Sequence, residues 1–208
     1  MSNADLLAID LGTQSIRLTA FDRSGQKQWN WSALVDSQIQ GDIFEQSTEQ
    51  WGTLLKQGLC EARLAGIRPK AIAAAGPLAG YVALDSEGHA LCPAVMYTDR
   101  RSAPEAKFVE AIALVQPDDS GLRVHIADPI PQWLRLCREF PEVAEKTAYF
   151  LDATGWINFF LTGQATVNAF TGLRLYTSET QRLLGLKNPP FGKITPVGHA
   201  IGTLRPSI

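Results

Sequence analysis

Hydrophobic and polar positions at the start of the chain follow the two-residue period of β-strands. An apolar run, Leu6–Leu11, is interrupted only by Asp10, and the next run, Ile16–Phe21, alternates apolar and polar residues. Short turn sequences separate these runs from each other and from a third run, Gln28–Val35. The pattern predicts an antiparallel three-stranded meander within one sheet.

Beyond this meander the pattern changes to helices that alternate with short strands. Ser47 begins a predicted helix, whose core-facing positions recur at helical spacing: Trp51, Leu54, Leu55, Leu59 and Ala62. Small apolar residues predict a buried strand over Ala71–Ala75, followed by strands over Tyr81–Leu84 and Leu91–Met96. A strand over Ala148–Leu151 and four helices complete the prediction, the helices over Ala103–Val115, Pro131–Cys137, Pro141–Lys146 and Ala153–Leu161. The alternation indicates an α/β domain whose mixed sheet is flanked by helices.

Three segments differ in their expected organisation. Residues 1–4 stand abruptly before the first strand and are typical of a cloning remnant. Residues 5–192 carry the predicted elements and are expected to form one domain. Residues 193–208 belong to a stretch rich in proline and glycine, where we expect the start of a linker to a second domain.

Composition and charge restrict the classes of protein that fit. The chain of 208 residues is 45% hydrophobic and 19% charged, as in ordinary globular proteins. The formal net charge of -2 argues against a nucleic-acid partner. The apolar runs of the sequence are too short to span a bilayer. Three widely separated cysteines indicate neither disulfides nor a zinc site, so a cytoplasmic location is expected. His89, His125 and His199 have no second ligand at metal spacing and are expected at the surface.

The turn between the first two strands carries the first candidate chemistry. Asp10 places a carboxylate at the end of a buried strand, where it could hold Mg²⁺. Gly12 lets backbone N–H groups approach an anion, and the hydroxyls of Thr13 and Ser15 can donate to phosphate oxygens. Arg17 offers a further phosphate contact. Taken alone, the tetrapeptide from Asp10 to Thr13 is equally compatible with a plain hairpin turn.

Together with this turn, four further segments resemble the N-terminal domain of the FGGY family of carbohydrate kinases, in the same order along the chain. They are Phe44–Gln46 with Trp51, Gly80–Asp85 with Gly88, Pro93–Arg101, and Phe159–Gly163. That family belongs to the actin-like ATPase superfamily. The resemblance implies a ribonuclease-H-like fold, with ATP and Mg²⁺ as cofactors, that transfers the γ-phosphate of ATP to a hydroxyl of a sugar or polyol.

Mapped onto this chain, the resemblance implies a phosphate and metal site on the first turn. Asp10 would hold the magnesium ion, and Arg17 would reach the transferred phosphoryl group. The β- and γ-phosphates of ATP would be bound by Gly12, Thr13, Gln14 and Ser15.

The resemblance implies acceptor contacts on two other segments. Asp99 and Arg101 would bind sugar hydroxyls, although these two charges could instead pair with each other or cap the next helix. Pro77, Leu78 and Ala79 stand where xylulokinase-like members have glutamine, methionine and histidine, and where glycerol kinases have glutamine, arginine and glutamate. The loss of those polar side chains argues against xylulose and glycerol as substrates. Leu78 itself is interpreted as a core residue, with the nearby backbone lining the pocket.

Several residues later in the chain are further candidates. The resemblance puts substrate-facing segments at Asp128, Gln132, Trp133, Asn168 and Thr171. Trp133 is, however, typical of a core residue. Asp152 is predicted to cap the helix that begins at Ala153.

The resemblance places the general base in a second domain, together with the adenosine pocket. We therefore expect no catalytic base in this chain and negligible kinase activity from it alone. One interpretation is a piece of a longer kinase, and the alternative is a single-domain sugar-binding relative without kinase activity. A hydrolysing ATPase of the same superfamily fits the segments at Glu45–Gln46 and Leu161–Gly163 less well. Homodimer formation is left open.

Overall fold

Four strands form the first sheet of this computed structural model, which describes residues 4–115, 124–169, 171, 181–182, 184–186, 190–206 and 208. Strands β1 (Leu6–Leu11), β2 (Ser15–Phe21) and β3 (Lys27–Leu34) are antiparallel neighbours, and β6 (Ala71–Ala75) pairs in parallel with β1. The predicted meander is confirmed, and β6 makes the sheet mixed.

The helix α1 (Thr48–Leu64) packs against β2 and β3 of this sheet. Ser47 caps it as predicted, because its side chain accepts the backbone N–H of Gln50 at 3.2 Å. Of the five positions predicted to face the core, three are buried and two are partly buried: Trp51, Leu55 and Ala62, then Leu54 and Leu59. The helical spacing of the apolar residues therefore identified the packed face correctly.

The predicted burial of strand β6 is wrong. Ala71, Ala73 and Ala75 are exposed, while Ile72 and Ala74 are partly buried against the core. Strand β6 lies at the edge of the sheet, and β1 is its one paired neighbour among the described strands. A run of small apolar residues therefore forms an edge strand with one solvent-exposed face.

The second sheet contains five antiparallel strands. They are β4 (Ser37–Gln40), β5 (Ile43–Gln46), β7 (Tyr81–Leu84), β8 (Ala94–Val95) and β9 (Tyr149–Asp152), in the spatial order β4-β5-β8-β7-β9. The strand predicted over Leu91–Met96 is reduced to β8. Pro93 lacks a backbone N–H for the ladder, so regular pairing begins only after it.

Four helices occupy the predicted regions after β8. They are α2 (Ala103–Val115), α3 (Pro129–Glu139), α4 (Pro141–Lys146) and α5 (Ala153–Thr162). The first two prolines of α3 stand in its first turn, where a missing N–H costs no helical hydrogen bond, so α3 begins two residues earlier than predicted. The main core lies between the first sheet, α1 and α5.

The tail of the chain packs on the domain over part of its length. Strand β10 (Thr166–Asn168) pairs in parallel with β11 (Lys193–Thr195), and the N–H of Arg205 donates to the carbonyl of Leu161 at 2.8 Å. The division after residue 192 stays a prediction. No helix within the described residues is both long enough and apolar enough to cross a membrane.

Candidate functional site

A cavity of about 610 Å³ opens at one end of the first sheet. The end of β1 and the following turn form one side, through Asp10, Leu11, Gly12 and Thr13. Residues 76–79 and Tyr81 lie beside them, and the remaining lining comes from Tyr97, His125, Ala127, Asp128 and Thr171. Segments that are distant in sequence thus surround one cavity, and its volume is typical of small-molecule binding sites.

The turn from Gly12 to Ser15 contains two backbone donors that have no acceptor among the described residues. The carbonyl of Thr13 accepts from the Gln46 side chain at 2.8 Å and from the Ser37 hydroxyl at 3.3 Å, and the Gln14 carbonyl accepts the N–H of Val35 at 2.9 Å. Within the described residues, the N–H groups of Thr13 and Gln14 donate to no protein acceptor. The carbonyl oxygens of Thr13 and Gln14 already accept hydrogen bonds within the protein, whereas their N–H groups have no acceptor among the described residues. The turn is therefore suited to bind an anion.

Asp10 adds a carboxylate next to this turn. Its side chain is 55% exposed and lines the cavity. Arg17 lies opposite Asp10 on β2, and its guanidinium reaches the Asp10 carboxylate at 3.6 Å. Arg17, Gln14 and Ser15 are not among the described residues that line the cavity, so the structure brings Asp10, Gly12 and Thr13 to it and leaves the other three beside it.

The segment from Pro77 to Ala79 lines the cavity with apolar side chains. Leu78 is 58% exposed, so its interpretation as a core residue is wrong. Ala79 has a backbone φ of 59°, a left-handed conformation that is uncommon for a residue with a Cβ. Sequence pattern could not distinguish a buried leucine from one that faces a cavity, because both positions are apolar.

Asp99 and Arg101 do not reach the cavity. Asp99 is fully buried, and its carboxylate accepts the N–H of Phe44 at 2.9 Å as well as the guanidinium of Arg101. Arg101 also binds Glu45. Burial opposes the charged form of Arg101, but the bonds to Asp99 and Glu45 outweigh it and hold its pKa above the ordinary value. The pairing considered as an alternative in the sequence is therefore observed.

A short loop before α3 contributes His125 and Asp128 to the cavity. His125 is exposed, as expected, and its Nδ1 accepts the N–H of Ala127 at 3.1 Å. The Asp128 carboxylate accepts the N–H of His125 at 2.8 Å, and the Asp128 N–H donates to the His125 carbonyl at 3.0 Å. Asp128 was a sequence candidate, whereas His125 had no motif that could have revealed its position.

The remaining candidates separate into two groups. Thr171 lines the cavity and is held by Asp152, which also accepts from Asn168 at 3.2 Å. Asp152 caps α5 as predicted, with its Oδ1 accepting the Gly155 N–H at 2.6 Å. By contrast, two buried residues of α3 lie outside the described lining of the cavity: Gln132 and Trp133.

Comparison with known proteins identifies the family of the chain. The model of the FGGY family of carbohydrate kinases, N-terminal domain, matches residues 6–207. The chain belongs to this family. It is 23% identical over 214 residues to a xylulose kinase of Streptomyces rubiginosus, a match that covers 97% of this chain and 44% of the relative. It is 26% identical over 174 residues to an autoinducer-2 kinase of Klebsiella pneumoniae, covering 78% of this chain and 32% of that relative.

Solved structures confirm the actin-like fold of this family domain. The xylulose kinase from Rhodospirillum rubrum superposes with a TM-score of 0.84 at 19% identity, over 97% of this chain and 45% of that chain. A gluconate kinase from Lactobacillus acidophilus gives a TM-score of 0.83 at 17% identity, over 97% of this chain and 44% of that chain. The family domain thus spans less than half the length of these relatives.

Proposed function

We propose that this FGGY domain serves an ATP-dependent carbohydrate kinase, in which it binds the phosphates of ATP and one side of a sugar or polyol acceptor. The observation that carries the proposal is the pair of N–H groups at Thr13 and Gln14 that donate to no acceptor among the described residues, beside the exposed carboxylate of Asp10, which lines the cavity. Backbone donors fixed in position stabilise phosphate charge without having to reorganise during the reaction.

The residues present fit a magnesium ion that arrives with the nucleotide. Within the described part of the chain, no group of three or more metal-ligating side chains occurs. A single exposed carboxylate next to a phosphate site is nevertheless sufficient for Mg²⁺. Proteins often contribute only one or two carboxylates, since the ion keeps waters and phosphate oxygens as its other ligands. Asp10 would hold the ion, which would neutralise charge on the β- and γ-phosphates.

In the proposed reaction, an acceptor hydroxyl oxygen bonds to the γ-phosphorus while the bond from that phosphorus to the β–γ bridging oxygen breaks. ADP leaves with the bridging oxygen, and the hydroxyl proton passes to a general base that we place outside these 208 residues. Thr13 and Gln14 hold the phosphates, and the cavity orients the acceptor. Closure over such a site excludes the water that would otherwise compete with the acceptor.

We also propose roles for residues that lie outside the cavity. Asp99, Arg101 and Glu45 fix the start of α2 against β5, so we assign them to support of the domain rather than to the acceptor. Arg17, whose guanidinium lies 3.6 Å from the Asp10 carboxylate, would hold that carboxylate and exchange it for a phosphate oxygen when ATP binds. A cytoplasmic location and a homodimer stay predictions.

The test is a kinase assay on the complete product of the gene, with ADP release measured over a panel of pentuloses, hexuloses and polyols. Asp10→Asn removes the carboxylate charge and is expected to lower kcat by about 100-fold. Asp42→Asn serves as the control, because Asp42 is exposed on the loop between β4 and β5 and away from the cavity. Unchanged turnover in Asp10→Asn would contradict the phosphate-site assignment, and ADP release that needs no acceptor would favour a hydrolysing ATPase.

A further inference from the structure

The wall of the cavity next to the phosphate turn is apolar. Pro77, Leu78 and Ala79 bring no polar side-chain atom to it. Leu78 is 58% exposed and Tyr97 is 44% exposed, so two large side chains keep apolar surface open to the cavity. An apolar surface maintained at a binding site indicates a ligand with an apolar part, because covering that surface is what stabilises the complex.

This wall is fixed in position by its surroundings. The N–H of Gly76 donates to the hydroxyl of Thr154 at 2.9 Å, and a Cβ at Gly76 would approach that of Ala153 to 2.9 Å. The left-handed backbone of Ala79 then turns the chain into β7. Such a conformation is retained in a folded protein only where the surroundings impose it. The side chain of Leu78 is therefore presented to the cavity by an anchored segment.

The loop before α3 supplies polar groups to the same cavity. Because the Nδ1 of His125 accepts the Ala127 N–H, the neutral ring carries its proton on Nε2 and can donate it to a ligand oxygen. The backbone of His125 is held in turn by both hydrogen bonds to Asp128. The cavity thus combines an apolar wall with a polar loop whose donor is oriented in advance.

We propose that the acceptor is a deoxy sugar, in which one carbon carries a methyl or methylene group where common ketoses carry a hydroxyl. The deoxygenated carbon lies against Leu78 and Tyr97, and a remaining oxygen accepts from His125 Nε2. This inference rests on the proposed function, because it names the acceptor class of the same site. A hydroxyl facing Leu78 would lose its hydrogen bonds to water without a replacement, which disfavours the fully hydroxylated analogue.

The experiment compares matched acceptors that differ by a single hydroxyl, using the complete gene product and ADP release as the readout. The two pairs are L-rhamnulose with L-fructose, and 1-deoxy-D-xylulose with D-xylulose. In at least one pair, kcat/KM for the deoxy sugar is expected to exceed that for its partner by about 10- to 100-fold. Equal or lower values for the deoxy sugar in both pairs overturn the inference and leave the kinase proposal standing.

The remaining outcomes of this experiment are also decisive. Turnover of other sugars or polyols, with none of these four accepted, overturns the acceptor class alone. Absence of acceptor-dependent ADP release with every sugar and polyol tested overturns the proposed function as well.

Substitution at the apolar wall tests the cause of the preference. Leu78→Gln supplies a hydrogen-bonding partner and is expected to reduce the ratio between deoxy and hydroxylated sugars to about threefold or less. Leu64→Gln at the exposed end of α1 is the matched control and should leave the ratio unchanged. If a folded Leu78→Gln protein kept the parent's ratio between deoxy and hydroxylated sugars, a surface other than Leu78 would select the acceptor.

Discussion

The hydroxyl of Thr171 donates to the carboxylate of Asp152 across 2.6 Å, and both residues are almost completely buried. The same carboxylate caps α5 through the N–H of Gly155 and accepts from the side chain of Asn168. Thr171 lines the cavity. One buried acid therefore connects the start of a core helix to the wall of the candidate site.

Removing this acid should loosen both connections. Asp152→Ala deletes the cap and leaves the Thr171 hydroxyl and the Gly155 N–H without their partner, so the free energy of unfolding should fall by about 2 kcal/mol. Asp152→Asn keeps an acceptor oxygen for the cap and should cost less. Urea unfolding followed by circular dichroism measures both values. Equal stability of the alanine variant and the parent would contradict the role of this carboxylate.

The buried position of Asp152 also predicts a dependence of stability on pH. Burial raises the pKa of Asp152 above its ordinary value, more than the bonds from Thr171, Gly155 and Asn168 lower it. The folded state thus binds this proton more tightly than the unfolded state. Asp152 therefore contributes most to stability below the ordinary pKa of aspartate, and that contribution declines as pH rises through the raised folded value.

Comparison with Asp152→Asn isolates this effect, because asparagine does not titrate. The stability of the parent relative to this variant should decrease as pH rises above the ordinary aspartate range, in unfolding titrations at a series of pH values. A difference that grows with pH would mean that hydrogen bonding to the carboxylate, rather than its burial, dominates the pKa.

Substitution of Asp99 distinguishes a supporting role from a direct role in acceptor binding. Asp99→Ala leaves the buried Phe44 N–H unpaired and deprives Arg101 of one of its two carboxylate partners, so we expect a loss of about 3 kcal/mol of stability. Asp42→Ala, an exposed change in the loop that holds Arg100 through its backbone carbonyl, should be nearly neutral. Denaturant unfolding gives both values. A higher acceptor KM at unchanged stability would instead place Asp99 at the acceptor.

Gly58 in α1 marks a close approach between the helix and the first sheet. A Cβ at this position would lie 2.7 Å from ring atoms of Trp31 and 3.0 Å from Leu18. Alanine improves helix propensity by about 1 kcal/mol, but overpacking of about 2 kcal/mol or more should outweigh that gain. Gly58→Ala is therefore expected to lower the thermal midpoint, while Gln57→Ala on the exposed face should not. A raised midpoint would show that Trp31 moves aside freely.

Local sequence was sufficient to predict the elements that depend on local chemistry. The hairpin around Gly12 follows from alternating residues and a turn sequence, and the cap at Ser47 follows from its side chain and the helical pattern behind it. The ordered motifs also carried enough information to identify the family, which the match over residues 6–207 confirms.

Other features depend on which segments meet, and the sequence had no signal for them. Ala73 and Leu78 were both predicted to be core residues. Ala73 lies instead on the exposed face of a strand and Leu78 lines a cavity, because apolar character does not indicate which neighbours cover a side chain. Asp99 was predicted to contact the acceptor. In the folded chain it is buried instead, and its carboxylate accepts hydrogen bonds from Phe44 and Arg101.

Local sequence was enough to predict the opening meander, the helices and the chemistry available in the turn from Asp10 to Ser15, because hydrogen-bonding capacity and periodicity are local properties. It did not predict the short strands β4, β5 and β10. Which of the groups in this turn share the cavity depends on how distant segments fold together. His125 is the clearest case, because its role depends on contacts that folding creates: Ala127 and Asp128 orient it towards a space that the distant turn at Thr13 also lines.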